Sequence, residues 1–253
     1  MTPTPTPRAP VATATIVGRG RVGRAIAAAL SAAGVAVNGP TTRGEAVPDA
    51  DVILVCVPDD AIAGVVAGLG VRQGLVGHMS GAVTLEASGV GFGLHPLQTF
   101  AGGEGPDAFH GIGCAIAGRS AAAVDVAREL AIRIGARPFA IDDEHRAGYH
   151  ASASLASNFV VTLLAAAEQV ARTAGLDGPD ARALLTPLVR RTVQNWAAEG
   201  PENALTGPIA RGDGVTVERQ RDAIRADAPD LLPLFDALAD CTRALAARSR
   251  SIA

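Results

Sequence analysis

Five histidines, a single tyrosine and no lysine bound the proton chemistry this 253-residue sequence can perform near neutral pH. His150, Ser154 and Asn158 recur at i, i+4 and i+8, which on one helix makes a polar stripe rising about 12 Å. In a stretch otherwise rich in Ala and Leu, that stripe reads as a cleft lining or as a solvated face near a helix start. His95 precedes Pro96, which keeps the backbone extended and holds the imidazole at a strand end. It reads either as a proton donor or as a histidine bonding loop carbonyls. Gln98 and Thr99 add polar groups just beyond. Tyr149 lies about 100° around the helix from His150 and is the weaker donor. "GHMSG" supplies Ser80 and Gly81, a hydroxyl and free N–H groups suited to a carboxylate, with His78 supporting the loop. "LTGPIARGD" brings Thr206, Arg211 and Asp213 to a loop stiffened by Pro208. Arg211 suits an acid substrate, or pairs with Asp213 at the surface. Arginine cannot serve as the acid, because its pKa exceeds about 12.

A second constellation lies near the start. "IVGRGRVGRAIAAAL" sets Gly18, Gly20 and Gly23 between a β-branched run and an Ala-rich helical pattern. With 29 glycines in the chain the spacing alone decides nothing, so its context has to. A strand runs straight into Gly18 and a helix begins by Val22. There, the first glycine permits the turn, the second admits a pyrophosphate, and the third lets helix and strand pack. Arg19, Arg21 and Val22 complete the loop, whose N–H groups face the phosphates. The next strand ends "VAVNGPTTRGE", with no acid from Asn38 to Arg43. Thr41, Thr42 and Arg43 suit a ribose 2′-phosphate and hence NADP over NAD, or else Arg43 is a solvated loop residue. "VILVCVPDD" places Val57 and Pro58 where the nicotinamide half would pass, or marks a plain strand-to-helix turn capped by Asp59 or Asp60.

These residues need elements to hold them. Six short runs, "VATATIVG", "GVAVNG", "DVILVCVP", "GLVGHMS", "GVGFGLHP" and "GIGCAIAG", read as strands alternating with helices. Their continuous apolar character suits parallel strands covered on both faces. The expected fold is α/β, a Rossmann-type doubly wound parallel sheet over residues 11–142. An all-α domain over 143–253 follows, and a disordered Thr/Pro tail over 1–10 precedes. Residues 145–175 read as one helix of some 30 residues, followed by helices over 177–200, 216–227 and 229–249, with an irregular loop at 201–214.

Composition narrows the class. Hydrophobic residues reach 48% but aromatics only 3%, so the core is built from Ala, Val, Leu and Ile. A net charge of −3 carries no footprint for nucleic acid or an anionic membrane. Cys56, Cys114 and Cys241 form no CxxC pair, which points to buried, reduced thiols and no metal site. The run "FVVTLLAAA" is half a membrane span, so the expectation is a soluble cytoplasmic protein.

"GRGRVG", "LVCVPDDAI", "GHMSG", "HPLQTF", "YHASASLASN" and "LTGPIARGD" resemble bacterial proteins with a Rossmann-like domain followed by a helical domain of unknown function. The resemblance covers nearly the whole chain, and "HPLQTF" and "LTGPIARGD" are its most specific pieces. It implies an NADP-dependent oxidoreductase, dimeric through the helical domain. Wider relatives are pyrroline-5-carboxylate reductase, ketopantoate reductase and the deazaflavin-dependent NADP reductase, so deazaflavin is left open as a co-substrate. Some similar members act as alternative ketopantoate reductases. In ordinary ketopantoate reductases a lysine on the long helix precedes an asparagine by four residues. Here Asn158 matches the asparagine and Ser154 stands in place of the lysine, which makes His150 or His95 the replacement donor. The leading expectation is NADPH-dependent reduction of a small 2-oxo acid. Its rivals are an imine reductase of the pyrroline-carboxylate type and a non-catalytic NADP-binding sensor.

Overall fold

The computed structural model describes residues 9–252. The tail expected at 1–10 therefore lies, up to residue 8, outside the described residues. The chain divides into two compact units, one ending at Ser157 and one beginning at Asn158.

The first unit is a seven-stranded sheet. Its strands are β1 Thr13–Val17, β2 Ala36–Thr41, β3 Val52–Val55, β4 Leu75–His78, β5 Phe92–Pro96, β6 Gly113–Gly118 and β7 Arg137–Ala140, in spatial order β2-β1-β3-β4-β5-β6-β7. Four helices belong to it before the last: α1 Arg21–Ala32, α2 Asp59–Leu69, the short α3 Leu85–Ser88 and α4 Ala121–Arg133. Side-chain alternation on β3 sorts the core. Val52 and Leu54 pack with Ile26 and Leu30 of α1 and Leu130 of α4, while Ile53 and Val55 pack with Ile62 of α2. All of these side chains are sealed from water, each worth roughly 1.5–3 kcal/mol on burial. Helices on both faces make the sheet doubly wound, as its apolar runs require.

Two features depart from the expected all-parallel, six-stranded sheet. β6 runs antiparallel to β5, pairing His95 with Ala115 and Pro96 with Cys114. The link from Leu97 to Ile112 stays at one sheet edge, packing Phe109 into the core beside α1, so the chain re-enters from the side it left. β7, parallel to β6, is a short edge strand that its sequence "RPFA" hides. Pro138 donates no ladder hydrogen bond, which only an edge position tolerates.

The last helix of the first unit, α5 Arg146–Ala156, and the first of the second, α6 Asn158–Thr173, replace the single long helix expected. The break falls at Ser157 (φ −130, ψ −74). Its hydroxyl donates to the Ala153 carbonyl at 2.9 Å, the side-chain competition with helical bonding at which serine excels. The division thus follows α5 instead of preceding it at residue 142, because α5 packs on the sheet. Among the described residues one stretch, Asp143–Thr173, is long and apolar enough by composition to cross a membrane, more than the half span expected. The break at Ser157 interrupts it.

The second unit continues with α7 Gly178–Ala204, α8 Pro208–Arg211, α9 Gly214–Asp227 and α10 Leu232–Ile252. α7 leaves helical geometry at Gly200, where the sequence places its end. The segment expected to be an irregular loop holds the last turn of α7, residues 201–204, and a second turn, α8, opened by Pro208 and closed by Gly212 in the left-handed conformation. All three cysteines are free: burial pushes the Cys56 and Cys114 thiols up to about 12, but Cys241 is exposed and not buried as expected.

Candidate functional site

The glycine loop has a distinct reason for each glycine. Gly18 sits at φ +113, and a Cβ there would meet the Cys56 carbonyl oxygen at 2.3 Å. A Cβ on Gly23 would meet the Gly18 carbonyl oxygen at 1.9 Å, so helix and strand touch through backbone alone. Gly20 differs. Its φ of −69 suits any residue, and a Cβ would find nothing nearer than 3.9 Å. Gly20 caps α1 without a side-chain hydrogen bond, and no acid lies in the first turn. The leading N–H groups of α1, from Arg21, Val22 and Gly23, therefore keep their donors. Arg19 and Arg21 are exposed around them. Val57 packs against Gly18, its Cγ1 lying 3.2 Å from the position of an added Cβ. Pro58 is the N-cap of α2, while Asp59 and Asp60 occupy its first turn and do not cap it.

At the end of β2 the expected trio separates. Thr41 is buried, its hydroxyl turned toward the Ile16 carbonyl at 3.5 Å, because its backbone still belongs to the sheet. It offers no hydroxyl to a phosphate. Thr42 and Arg43 are exposed. Sequence reasoning stopped there and missed Glu45. The Glu45 carboxylate accepts the Thr42 N–H at 2.7 Å and lies 3.6 Å from the Arg19 guanidinium, whose Nε donates to the Pro40 carbonyl at 3.1 Å. The Thr42 amide and Arg19 hold its carboxyl below the usual range. An internal anion thus already engages Thr42, one of the groups expected to meet a 2′-phosphate.

A second cluster forms where β4 and β5 meet α5. His78 ends β4 fully buried; its Nδ1 accepts the Ser80 N–H at 3.2 Å and its Nε2 has no hydrogen-bond partner. Ser80 Oγ accepts from Ala82 and Val83 N–H at 3.1 and 3.0 Å, so it builds the turn. Gly81 lies beneath two imidazoles: a Cβ there would come within 2.9 Å of His95 Nε2 and 3.0 Å of His150 Cδ2. The His95 and His150 rings are 6.3 Å apart. His95 Nδ1 lies 2.6 Å from the Tyr149 hydroxyl.

What fixes α5 here is an ion pair. Asp143 accepts from Leu85 N–H at 2.8 Å and Arg146 Nε at 2.6 Å, tying α3 to the first turn of α5. Gly93 leaves room for the buried guanidinium, whose Nη2 is 3.0 Å from where a Cβ would sit. Burial acts to raise the Asp143 carboxyl, but Arg146 and the α3 amides outweigh it and leave it lowered. Burial, with Arg146, pushes His78 down to about 4, and burial, with His150, Arg146 and His78, does the same to His95, so both are neutral at pH 7. Burial pushes the Tyr149 phenol up to about 12.

The structure therefore brings His95, His150, Ser80 and Gly81 together in the first unit. Ser154 is half-buried further along α5. The stripe is cut after it: Asn158 starts α6, exposed, in the second unit. Thr206 and Arg211, also in the second unit, are exposed; Asp213 caps α9 through Thr216. Sequence reasoning missed Arg146 and Asp143, and it did not place the Tyr149 hydroxyl against His95. A helical wheel separates Tyr149 from His150, but it does not show that both border His95 across the sheet. Asp142, Glu144 and His145 are the one grouping with metal-ligand spacing among the described residues, and all three are exposed.

The family model described as a domain of unknown function (DUF2520) matches residues 112–242, more than half of the chain. The protein belongs to that family. No protein of curated function matches it in sequence. Among solved structures, a candidate NADP oxidoreductase from Bacteroides fragilis is similar at 22% identity, TM-score 0.77, over 92% of this chain and 98% of that one. A Thermotoga maritima protein is similar at 24% identity, TM-score 0.76, over 94% and 99%. Pyrroline carboxylate reductase from Plasmodium falciparum, solved with NADP bound, matches at 12% identity, TM-score 0.57, over 93% and 98%. At these identities the likeness establishes the Rossmann-like fold with its helical second unit for this DUF2520 member.

Proposed function

We propose that this DUF2520 protein is an NADP-dependent reductase of a small 2-oxo acid, with ketopantoate as one candidate, acting in the cytoplasm as a homodimer. Gly20 carries the cofactor reading. Nothing in the protein requires glycine at that position, whereas a pyrophosphate resting on the loop does. The uncapped amides of α1 would hold it, with Arg19 and Arg21 alongside. Thr42, Arg43 and Arg19 would surround the 2′-phosphate, with Thr42 and Arg19 now engaged by Glu45. The B. fragilis and P. falciparum neighbours support this cofactor class.

When bound, the reduced nicotinamide supplies the hydride that reduces the substrate. The chain's own task is the acceptor atom. With no lysine present, His95 and His150 are the groups able to hold or give a proton there, and Gly81 keeps the space beneath them open. Neutral His95 also fits a second reading, reduction of a cyclic imine, which brings its own proton.

The second unit supports self-association. α6 has no buried residue, and a groove of about 500 Å³ between α6, α9 and α10 is lined by Leu163, Val170, Ile224, Phe235 and Leu238. An exposed apolar face of that kind suits a second copy.

Calorimetry with NADPH and NADH, then turnover on 2-oxo acids and cyclic imines, tests the proposal. NADPH preference with oxo-acid turnover is the expected result. Turnover of imines alone selects the second reading, and tight NADPH binding without turnover selects a sensor. No binding of either dinucleotide overturns all three.

A further inference from the structure

We infer that Tyr149 is a positioning residue that fixes His95 as the neutral tautomer protonated on Nε2, aiming that N–H over Gly81 at the acceptor atom. The inference rests on the reductase reading for its consequence, but its core concerns a single proton.

A neutral imidazole carries one N–H and one lone pair, and which nitrogen holds the proton is set by the partner of the other. His95 Nδ1 and the Tyr149 hydroxyl are 2.6 Å apart. A phenol can donate or accept, so two arrangements must be weighed. Were Nδ1 protonated, it would donate to the phenol oxygen, and the phenol proton would need another acceptor. Among the described residues the Tyr149 hydroxyl has no other hydrogen bond. The half-buried phenol would then have only solvent left to take its proton. With the phenol donating to Nδ1, both groups are satisfied and the proton of His95 lies on Nε2.

Packing holds this arrangement. The Tyr149 ring meets His95 edge-on at 5.5 Å and Phe139 of β7 at 5.8 Å, so the phenol is clamped from both sides. His95 Nε2 then faces the space that a side chain on residue 81 would fill. The charged and titratable groups around the pair are His150 and Arg146 on α5, His78 on β4, Cys114 on β6 and Asp59 on α2. Burial, reinforced by His150 and Arg146, leaves His95 neutral at pH 7, and burial leaves Tyr149 protonated. His95 therefore works as a hydrogen-bond donor, and Tyr149 acts through it.

Histidine-labelled protein, free of ligand at pH 7, provides the decisive measurement. Long-range 15N–1H correlation spectra report the proton position of each of the five rings, and H95Q identifies the His95 signals by their loss. The expected result is a proton on Nε2 with a hydrogen-bonded Nδ1 in wild type. In Y149F, Nδ1 loses its bonded shift, both tautomers appear, and the His95 pKa rises toward the ordinary imidazole range. A proton on Nδ1 in wild type, or spectra unchanged by Y149F, overturns the inference. A thermal melt shows whether Y149F is folded; should it not be, the wild-type spectrum still decides. A kinetic arm separates this claim from the reductase reading. Y149F lowers kcat about tenfold with KM little changed, yet has no further effect in H95Q, whose amide donor does not depend on Tyr149. Additive losses in the double variant would also overturn it. Failure of dinucleotide binding would remove the kinetic arm and leave the proton position measurable.

Discussion

In the first unit Ile16, Ile53, Leu54 and Phe92 are wholly withdrawn from water, whereas α6 of the second unit, equally rich in apolar residues, buries none. The polar chemistry divides the other way. All five histidines lie before Ser157, and burial against the sheet withdraws two of them, His78 and His95, from protons; the second unit has none. A sheet covered on both faces completes its own core and can hold polar groups at its edge under tight constraint. The second unit instead leaves an apolar helix face exposed, the face on which the proposed association rests.

Phe159→Glu tests that contrast most severely. Phe159 is exposed on α6, and a carboxylate there would be buried in the proposed association. Sedimentation velocity is expected to show wild-type dimer and a variant weakened by about 100-fold or more. Equal behaviour of the two would place the partner face elsewhere.

Acid should unfold the first unit selectively. Burial holds His78 at about 4 against an ordinary 6.5, so between those values the unfolded chain binds a proton that the folded chain refuses. Stability is therefore full above pH 6.5 and lost as pH falls toward 4, by ~3 kcal/mol for this residue alone. Urea titrations of wild type and His78→Gln across that range should diverge at high pH and converge at low. Parallel curves would mean that His78 is not withheld from protons.

Gly20→Ala sharpens the comparison within the glycine loop. Because its φ is ordinary and the space is free, alanine should leave stability unchanged or raise it by about 0.4–1 kcal/mol. Dinucleotide affinity should fall about tenfold, since the methyl group occupies the pyrophosphate's approach. Unaltered affinity would remove the observation on which the cofactor reading stands.

The smallest effect concerns Glu45. Glu45→Gln removes the anion held by Thr42 and Arg19, and calorimetry should find NADPH bound about threefold more tightly and NADH no better. Weaker NADPH binding would make Glu45 a partner of the cofactor in place of a competitor.

Much of this was legible in the residues. Continuous apolar runs announced a covered sheet, and strand, glycines and helix in register announced the loop. What escaped depended on partners distant in sequence. The antiparallel β6 and the edge strand β7 follow from where one connection re-enters the sheet, and "RPFA" carries no strand signal. The helix break at Ser157, by contrast, is local: there the hydroxyl donates to the Ala153 carbonyl four residues back. Thr41 looked like a ligand by type, but its place in the last sheet position turned it inward.

By itself the sequence determined the alternation of elements, the need for glycine at residues 18 and 23, and the absence of lysine. Those properties are local: they depend on backbone sterics, on hydrophobic period and on which side chains exist at all. Only the tertiary structure decided that Tyr149 and His95 share a proton, that Arg146 lies buried over Gly93, and that Glu45 returns to the loop. Residues separated by tens of positions become neighbours only when strands and helices pack, and a hydrogen bond reports distance in space, which spacing along the chain does not encode.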